Sequence, residues 1–241
     1  MDSQRETRGM RVISFSGIDG AGKSTQIERL CASLEQTGLS VRVIRFWDDV
    51  AALARFRGKV GHAVFRGDQG VGTPEVPINR RDKNVQSCIL TVIRLCMYLA
   101  DAISLRMLVK RAQRTGVEVL IFDRYIYDEL ANLKVHLPAM RAYARAMMGI
   151  VPKPDISYLL DADPVAARQR KPEYPLEFLD FNRKSYFALH DCFGVFHVLP
   201  ASAADDVERE ALQVAFENLS LAKHSPAPET ETLSAQTSWV R

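Results

Sequence analysis

The sequence predicts an α/β fold: three layers, with a five-stranded parallel sheet between helices on both faces. Two observations carry this. Short β-type apolar segments alternate along the chain with stretches whose apolar residues recur at i, i+3, i+4 and i+7, the pattern of strand–helix–strand units. The first strand–helix junction is Gly17-Ile18-Asp19-Gly20-Ala21-Gly22-Lys23-Ser24-Thr25, which fits the phosphate-loop pattern G-x-x-x-x-G-K-[ST] in the setting its chemistry requires. With 241 residues, 47% of them hydrophobic, the chain is long enough to bury a sizeable single core.

Taken in order, residues 1–10 are polar and read as a flexible leader. Arg11-Val12-Ile13-Ser14-Phe15-Ser16 is the first strand. In the loop after it, glycines turn backbone N–H groups toward one point and leave room for a phosphate. The helix that opens near Lys23 adds unsatisfied N–H groups and the positive end of its dipole. Lys23 reaches the outer phosphates of a nucleoside triphosphate and the Ser24 hydroxyl suits Mg²⁺. Ile27, Leu30, Cys31 and Leu34 form the apolar stripe of that helix, read over 24–37, and Gly38 stops it. Residues 40–46 form the second strand. A helical piece is read over 50–56.

Residues 58–84 hold seven glycines and prolines together with Arg66, Arg80 and Arg81. This is long for a plain connector. Two readings stand: a floppy insertion, or a mobile segment over an acceptor site. Residues 84–114 form one long helix, its stripe of Val85, Cys88, Ile89, Val92, Leu95, Cys96, Leu99, Ile103, Met107 and Leu108 read mostly as core. After Gly116, residues 117–122 form a buried strand that delivers Asp123-Arg124-Tyr125 at its carboxyl end, where open α/β sheets bind ligands. Asp123 is the expected Mg²⁺-side carboxylate there, with a helix cap as the plain alternative.

Residues 127–148 are helical in pattern, interrupted at Pro138. Residues 156–160 form the fourth strand, followed by Asp161-Ala162-Asp163-Pro164. Asp163 suits an N-cap and Pro164 a first helical turn; metal ligation by Asp161 and Asp163 is the other reading. The next helix carries Arg168, Arg170 and Lys171, either a phosphate-facing cluster or a solvated face. Residues 176–192 form a helix whose Phe178, Phe181, Tyr186 and Leu189 read mostly as core, then a strand over 195–199 and a helix over 205–221. Residues 222–241, rich in Ser, Thr, Pro and Glu, read as disordered, which leaves 11–221 as the folded domain.

The formal net charge is +3, with no block of like charges, so nucleic acid is not a favoured partner. The four cysteines lack metal spacing. No secretory segment or long apolar run is present, and a cytoplasmic protein is expected.

Several of these motifs fall together in one family. The chain resembles thymidylate kinases, phosphate-loop enzymes that transfer a phosphoryl group from ATP to dTMP. The similar pieces are Phe15 to Gln26, the helix-Gly-strand from Leu30 to Arg45, Phe122-Asp123-Arg124-Tyr125, the segment from Pro154 to Pro164, and Leu199-Pro200-Ala201-Ser202. The resemblance implies a phosphate-loop NTPase fold with ATP and Mg²⁺ as cofactors. It implies that the loop residues Gly17, Asp19, Gly20, Ala21, Gly22, Lys23, Ser24 and Thr25 hold ATP, with Ser24 and Asp123 toward Mg²⁺. Asp19, Arg124, Tyr98 and Asp101 would face the acceptor. Gly20 stands where some members carry a loop arginine, so a short lid over 168–177 would supply one from Arg168 or Arg170. Catalysis would then rest on Lys23, Asp123, Arg124, Arg168 and Arg170. A homodimer through the 84–114 helix is also implied.

The chain departs from the family at Phe46-Trp47-Asp48-Asp49, where a Glu-Pro-Gly-Gly stretch is usual. It departs again at Ala102, where an arginine binds the acceptor phosphate, and at Asp128, Asn132 and Leu133. Three expectations follow: a kinase acting on a nucleoside monophosphate, dTMP first; a related phosphotransferase acting on a nucleoside or other small molecule; or a nucleotide-binding regulatory module without transferase activity.

Overall fold

The computed structural model describes residues 9–50, 88–200 and 202–218. The 58–84 loop with Arg66, Arg80 and Arg81, the 222–241 tail and nearly all of the 1–10 leader lie outside the described residues.

Five parallel strands form one sheet in the order β2-β3-β1-β4-β5. They are β1 (Arg11–Ser16), β2 (Val41–Arg45), β3 (Val119–Asp123), β4 (Ile156–Leu160) and β5 (His197–Leu199). The helices are α1 (Lys23–Gln36), α2 (Cys88–Ala112), α3 (Ile126–Leu130), α4 (Pro138–Ile150), α5 (Pro164–Arg170), α6 (Leu176–Phe193) and α7 (Ala204–Asn218). From β1 the chain first passes to β2 at the sheet edge, returns to β3 beside β1, and then crosses to β4 on the other side. The reversal point of a doubly wound sheet, where ligands bind, therefore lies at the carboxyl end of β1.

The period-2 alternation of the strands divides the core between two faces. Ile13, Phe15, Val119, Ile121, Tyr158 and Leu160 pack with α1 and α7 residues such as Leu30, Leu34 and Ala211. Val12, Leu120, Phe122 and Leu159 pack on the opposite face with Leu105, Val109, Ala144 and Leu189 of α2, α4 and α6. A buried strand interior dry on both sides favours the near-continuous apolar runs seen in β3 and β4. Parallel register brings Phe15 beside Asp123 and Arg45 beside the same Asp123, so the ends of β1, β2 and β3 lie level.

Several expectations change. Of the helix read over 50–56 only Val50 is described, as the last residue of a π-helical turn at Phe46–Val50; the rest lies outside the described residues. The expected interruption of the 127–148 segment is present but wider: α3 ends at Leu130, and a new helix, α4, starts at Pro138, where proline suits the first turn. The largest correction concerns α2. Val92, Leu99, Ile103 and Met107 are exposed, up to 58% at Val92, and the core side is instead Tyr98, Asp101, Ala102, Leu105, Val109 and Ala112. Apolar residues surround this helix on all sides, so periodicity alone cannot choose its buried face. Phe181 of α6 is likewise exposed rather than core. Among the described residues no helix is long and apolar enough to cross a membrane.

Candidate active site

The site starts from backbone conformation. Gly17 and Gly20 have φ of 142° and 81°, values that L side chains rarely adopt. Space matters as much as angle. A Cβ on Gly17 would lie 2.8 Å from the Leu160 carbonyl oxygen, and one on Gly20 would overlap that of Ala167. The loop is thus pressed against the end of β4 and against α5. This gives a physical reason for glycine at position 20: α5 fills the space that an arginine side chain would need.

Lys23 closes the loop on itself. Its buried Nζ donates to the carbonyls of Gly17 at 3.0 Å and Ile18 at 2.9 Å. Burial, followed by the nearby Arg124 cation, pushes its pKa down to about 8, against the pull of Asp19, Asp128 and Asp123. The amino group therefore stays charged at neutral pH by a narrow margin, and phosphates entering the loop would strengthen that charge. Ser24 and Thr25 are exposed on the first turn of α1. Asp123 is half-buried at the end of β3.

Arg124 is the described non-glycine residue with positive φ, at 70°. Such a conformation costs about 1–3 kcal/mol and persists only where the surroundings enforce it. Here they do. Its Nη2 donates to Asp19 Oδ1 at 2.5 Å, and its Nη1 donates to Asp128 Oδ1 at 3.0 Å and to the Tyr186 hydroxyl at 3.3 Å. Burial alone would weaken the Arg124 charge, but Tyr186, Asp128, Asp19 and Asp123 outweigh it and hold the pKa above the ordinary arginine value. Asp128 in turn accepts from Tyr186 Oη at 2.6 Å, from Ser16 Oγ at 2.7 Å and from the Tyr125 backbone N–H at 3.0 Å.

The structure brings Asp19, Lys23, Asp123 and Arg124 together at the carboxyl ends of β1 and β3. It separates the two lid arginines. A Cβ on Gly22 would lie 4.0 Å from Arg170 Nη1, so Arg170 reaches the phosphate loop. Arg168 lines a groove with Val165, Gln169, Pro172 and Leu176 instead. Tyr98 and Asp101 are buried within α2. Ala102 is fully buried in the core. Asp163 caps α5, accepting from the Ala166 N–H at 2.9 Å, while Asp161 takes a bidentate ion pair from Arg183 at 2.5 and 2.7 Å. Each thus has a structural partner that the metal reading did not foresee.

Sequence reasoning missed Tyr186 and Ser16 as partners in the site, and it marked Asp128 only as a departure. No spacing rule points to the Asp128 pair, because Arg124 lies before α3 in a left-handed conformation and not on its helical face.

The donor set fits Mg²⁺. The Ser24 hydroxyl and the Asp123 carboxylate are hard oxygen ligands. Among the described residues no group of three metal-ligating side chains stands together, but Mg²⁺ bound between a protein and phosphates uses only one or two protein oxygens.

A parallel sheet with a phosphate loop at its reversal point and a strand-end Asp-Arg beside it defines a phosphate-loop nucleotide-binding protein. Comparison with known proteins narrows the class. No family model matches the chain. It is similar to the thymidylate kinase of Bifidobacterium longum, 31% identical over 161 residues, which cover 66% of this chain and 69% of that one. It is similar to the probable thymidylate kinase of Methanosphaera stadtmanae, 26% identical over 83% of this chain and 94% of that one. The probable thymidylate kinase of Archaeoglobus fulgidus is 27% identical over 72% and 77% of the two chains. The chain belongs to the thymidylate kinase family and is a nucleotide kinase.

Proposed function

We propose that this kinase transfers the γ-phosphoryl group of ATP to a nucleoside monophosphate, with dTMP as the acceptor. The observation that carries the reading is the convergence of Lys23, Asp19, Asp123 and Arg124 at the reversal point of the sheet. The names of the relatives supply the acceptor.

In this reading the loop N–H groups and Lys23 hold the donor phosphates. Lys23 Nζ exchanges the Gly17 and Ile18 carbonyls for phosphate oxygens. Mg²⁺, held by Ser24 and Asp123, would neutralise charge on the bridging phosphates. Arg124, which follows β3, and Arg170, in the short lid, would supply cations to the transferring group. Phosphoryl transfer needs little covalent chemistry from the protein, and fixed cations at the right places account for most of the acceleration. Asp19, in the loop and paired with Arg124, stands between donor and acceptor. The exposed Val92, Leu99, Ile103 and Met107 stripe on α2 suits a homodimer interface, and 11–221 forms the kinase domain.

A second reading rests on Ala102. Buried in the core, it offers no cation where the family binds the acceptor phosphate, and this favours an acceptor without one, such as a nucleoside. ADP release measured with ATP and Mg²⁺ separates the two: turnover with dTMP and none with thymidine supports the first, and the reverse supports the second. Under either reading Lys23→Ala lowers turnover by about 10³-fold or more; wild-type turnover in that variant would remove the site assignment.

A further inference from the structure

The Arg124 guanidinium has two edges with different surroundings. Nη2 rests on Asp19, a loop carboxylate whose side chain is 26% exposed. Nη1 rests on Asp128, whose side chain is 1% exposed, and on Tyr186. Asp128 does not depend on Arg124 for its place. Ser16 Oγ from β1, the Tyr125 N–H from its own turn and Tyr186 Oη from α6 all donate to it. A carboxylate braced from three elements is a fixed point, whereas a partly exposed loop carboxylate is exchangeable.

We propose that Asp128, braced by Ser16 and Tyr186, is a positioning residue. It holds Arg124 in its left-handed conformation by the Nη1 edge and leaves the Nη2 edge, now on Asp19, to turn to a phosphate oxygen. The proposal rests on the reading that Arg124 meets the transferring phosphates. It adds a residue on α3, and through it one on α6, to the machinery of the reaction. A buried carboxylate facing an arginine could instead serve the fold alone, so the deciding property is whether Asp128 acts through Arg124.

A double-mutant cycle measures this. Asp128→Asn keeps the shape and removes the charge. Tyr186→Phe keeps the ring and removes the hydroxyl with its bonds to Asp128 and Arg124, with less risk to folding. Each is made alone and together with Arg124→Ala, and kcat, KM for ATP and the thermal midpoint are recorded with ATP, Mg²⁺ and dTMP or thymidine, whichever acceptor turns over. In the Arg124 background, Asp128→Asn is expected to lower kcat by about 10–100-fold and Tyr186→Phe by about 3–10-fold, the range of losing or misplacing one charged donor, with KM for ATP changed by less than about 2-fold. In the Arg124→Ala background both effects are expected to vanish. If either substitution lowers kcat by the same factor with and without Arg124, the proposal is overturned while the site reading stands. If Arg124→Ala itself leaves kcat unchanged, both fall. Should Asp128→Asn not fold, the Tyr186→Phe cycle decides the question by itself.

Discussion

The two flanks of the site are built from different materials. On the β1–α1–α5 flank the work is done by backbone: glycines at positive φ, carbonyls that hold Lys23, and a loop so close to α5 that a single Cβ would collide with Ala167. On the β3–α3–α6 flank it is done by buried side-chain charge, with Arg124, Asp128 and Tyr186 locked together and tied to β1 through Ser16. The comparison explains why one flank is general and the other individual. A backbone cradle recognises the phosphates shared by all nucleoside triphosphates. A side-chain network can be rewired by single substitutions, and this network is centred on Asp128.

If the flanks divide in this way, perturbations on the donor side should follow contact with the loop. Arg170→Ala, at the loop, is expected to lower kcat by about 10²–10³-fold, whereas Arg168→Ala, in its separate groove, stays within about 3-fold. Steady-state kinetics of the pair decides it, and equal losses would break the distinction between them. Gly20→Ala should cost about 10²-fold in kcat/KM by forcing α5 off the loop and should lower the thermal midpoint by about 2–6 °C, because the added Cβ meets backbone at a positive φ; unchanged kinetics would show that the close approach has no functional weight.

A smaller effect sharpens the contrast by pH. Lys23, brought down to about 8 by burial, is charged below that pH and neutral above it. Nucleotide phosphates need the charged form. ATP affinity is therefore expected to be level up to about pH 8 and to fall by up to about tenfold per unit above it, with proton uptake on binding at pH 8. Calorimetry in buffers of differing ionisation enthalpy reads both. Lys23→Arg, which keeps its proton, should flatten the profile, and a wild-type profile level to about pH 9.5 would contradict the assignment of that lysine.

Legibility in the sequence follows the same division. The β1 and β4 segments and the Asp163–Pro164 helix start are readable to the residue because each is a local pattern: an apolar run, a capping side chain, a ring that fixes φ. The glycines of the loop are readable because strained backbone has only one residue that suits it. The Tyr186–Asp128 bond joins positions 58 apart in the chain and the Arg183–Asp161 pair positions 22 apart; no spacing rule reaches across a fold. The buried face of α2 is illegible for another reason. Its apolar residues circle the helix, and only packing against α3 and α4 decides which of them face inward. Arg124 shows the limit most clearly: the sequence marks it as a phosphate clamp, yet its positive φ and its divided guanidinium exist only in three dimensions.

The most direct test of the central claim is transfer of label from [γ-³²P]ATP, in Mg²⁺, to dTMP and to thymidine in parallel, with Lys23→Ala as the control. Labelled dTDP is expected from the wild-type chain, no labelled product from thymidine, and neither product from the variant. Labelled product from thymidine alone, or no transfer to either acceptor, would contradict the claim.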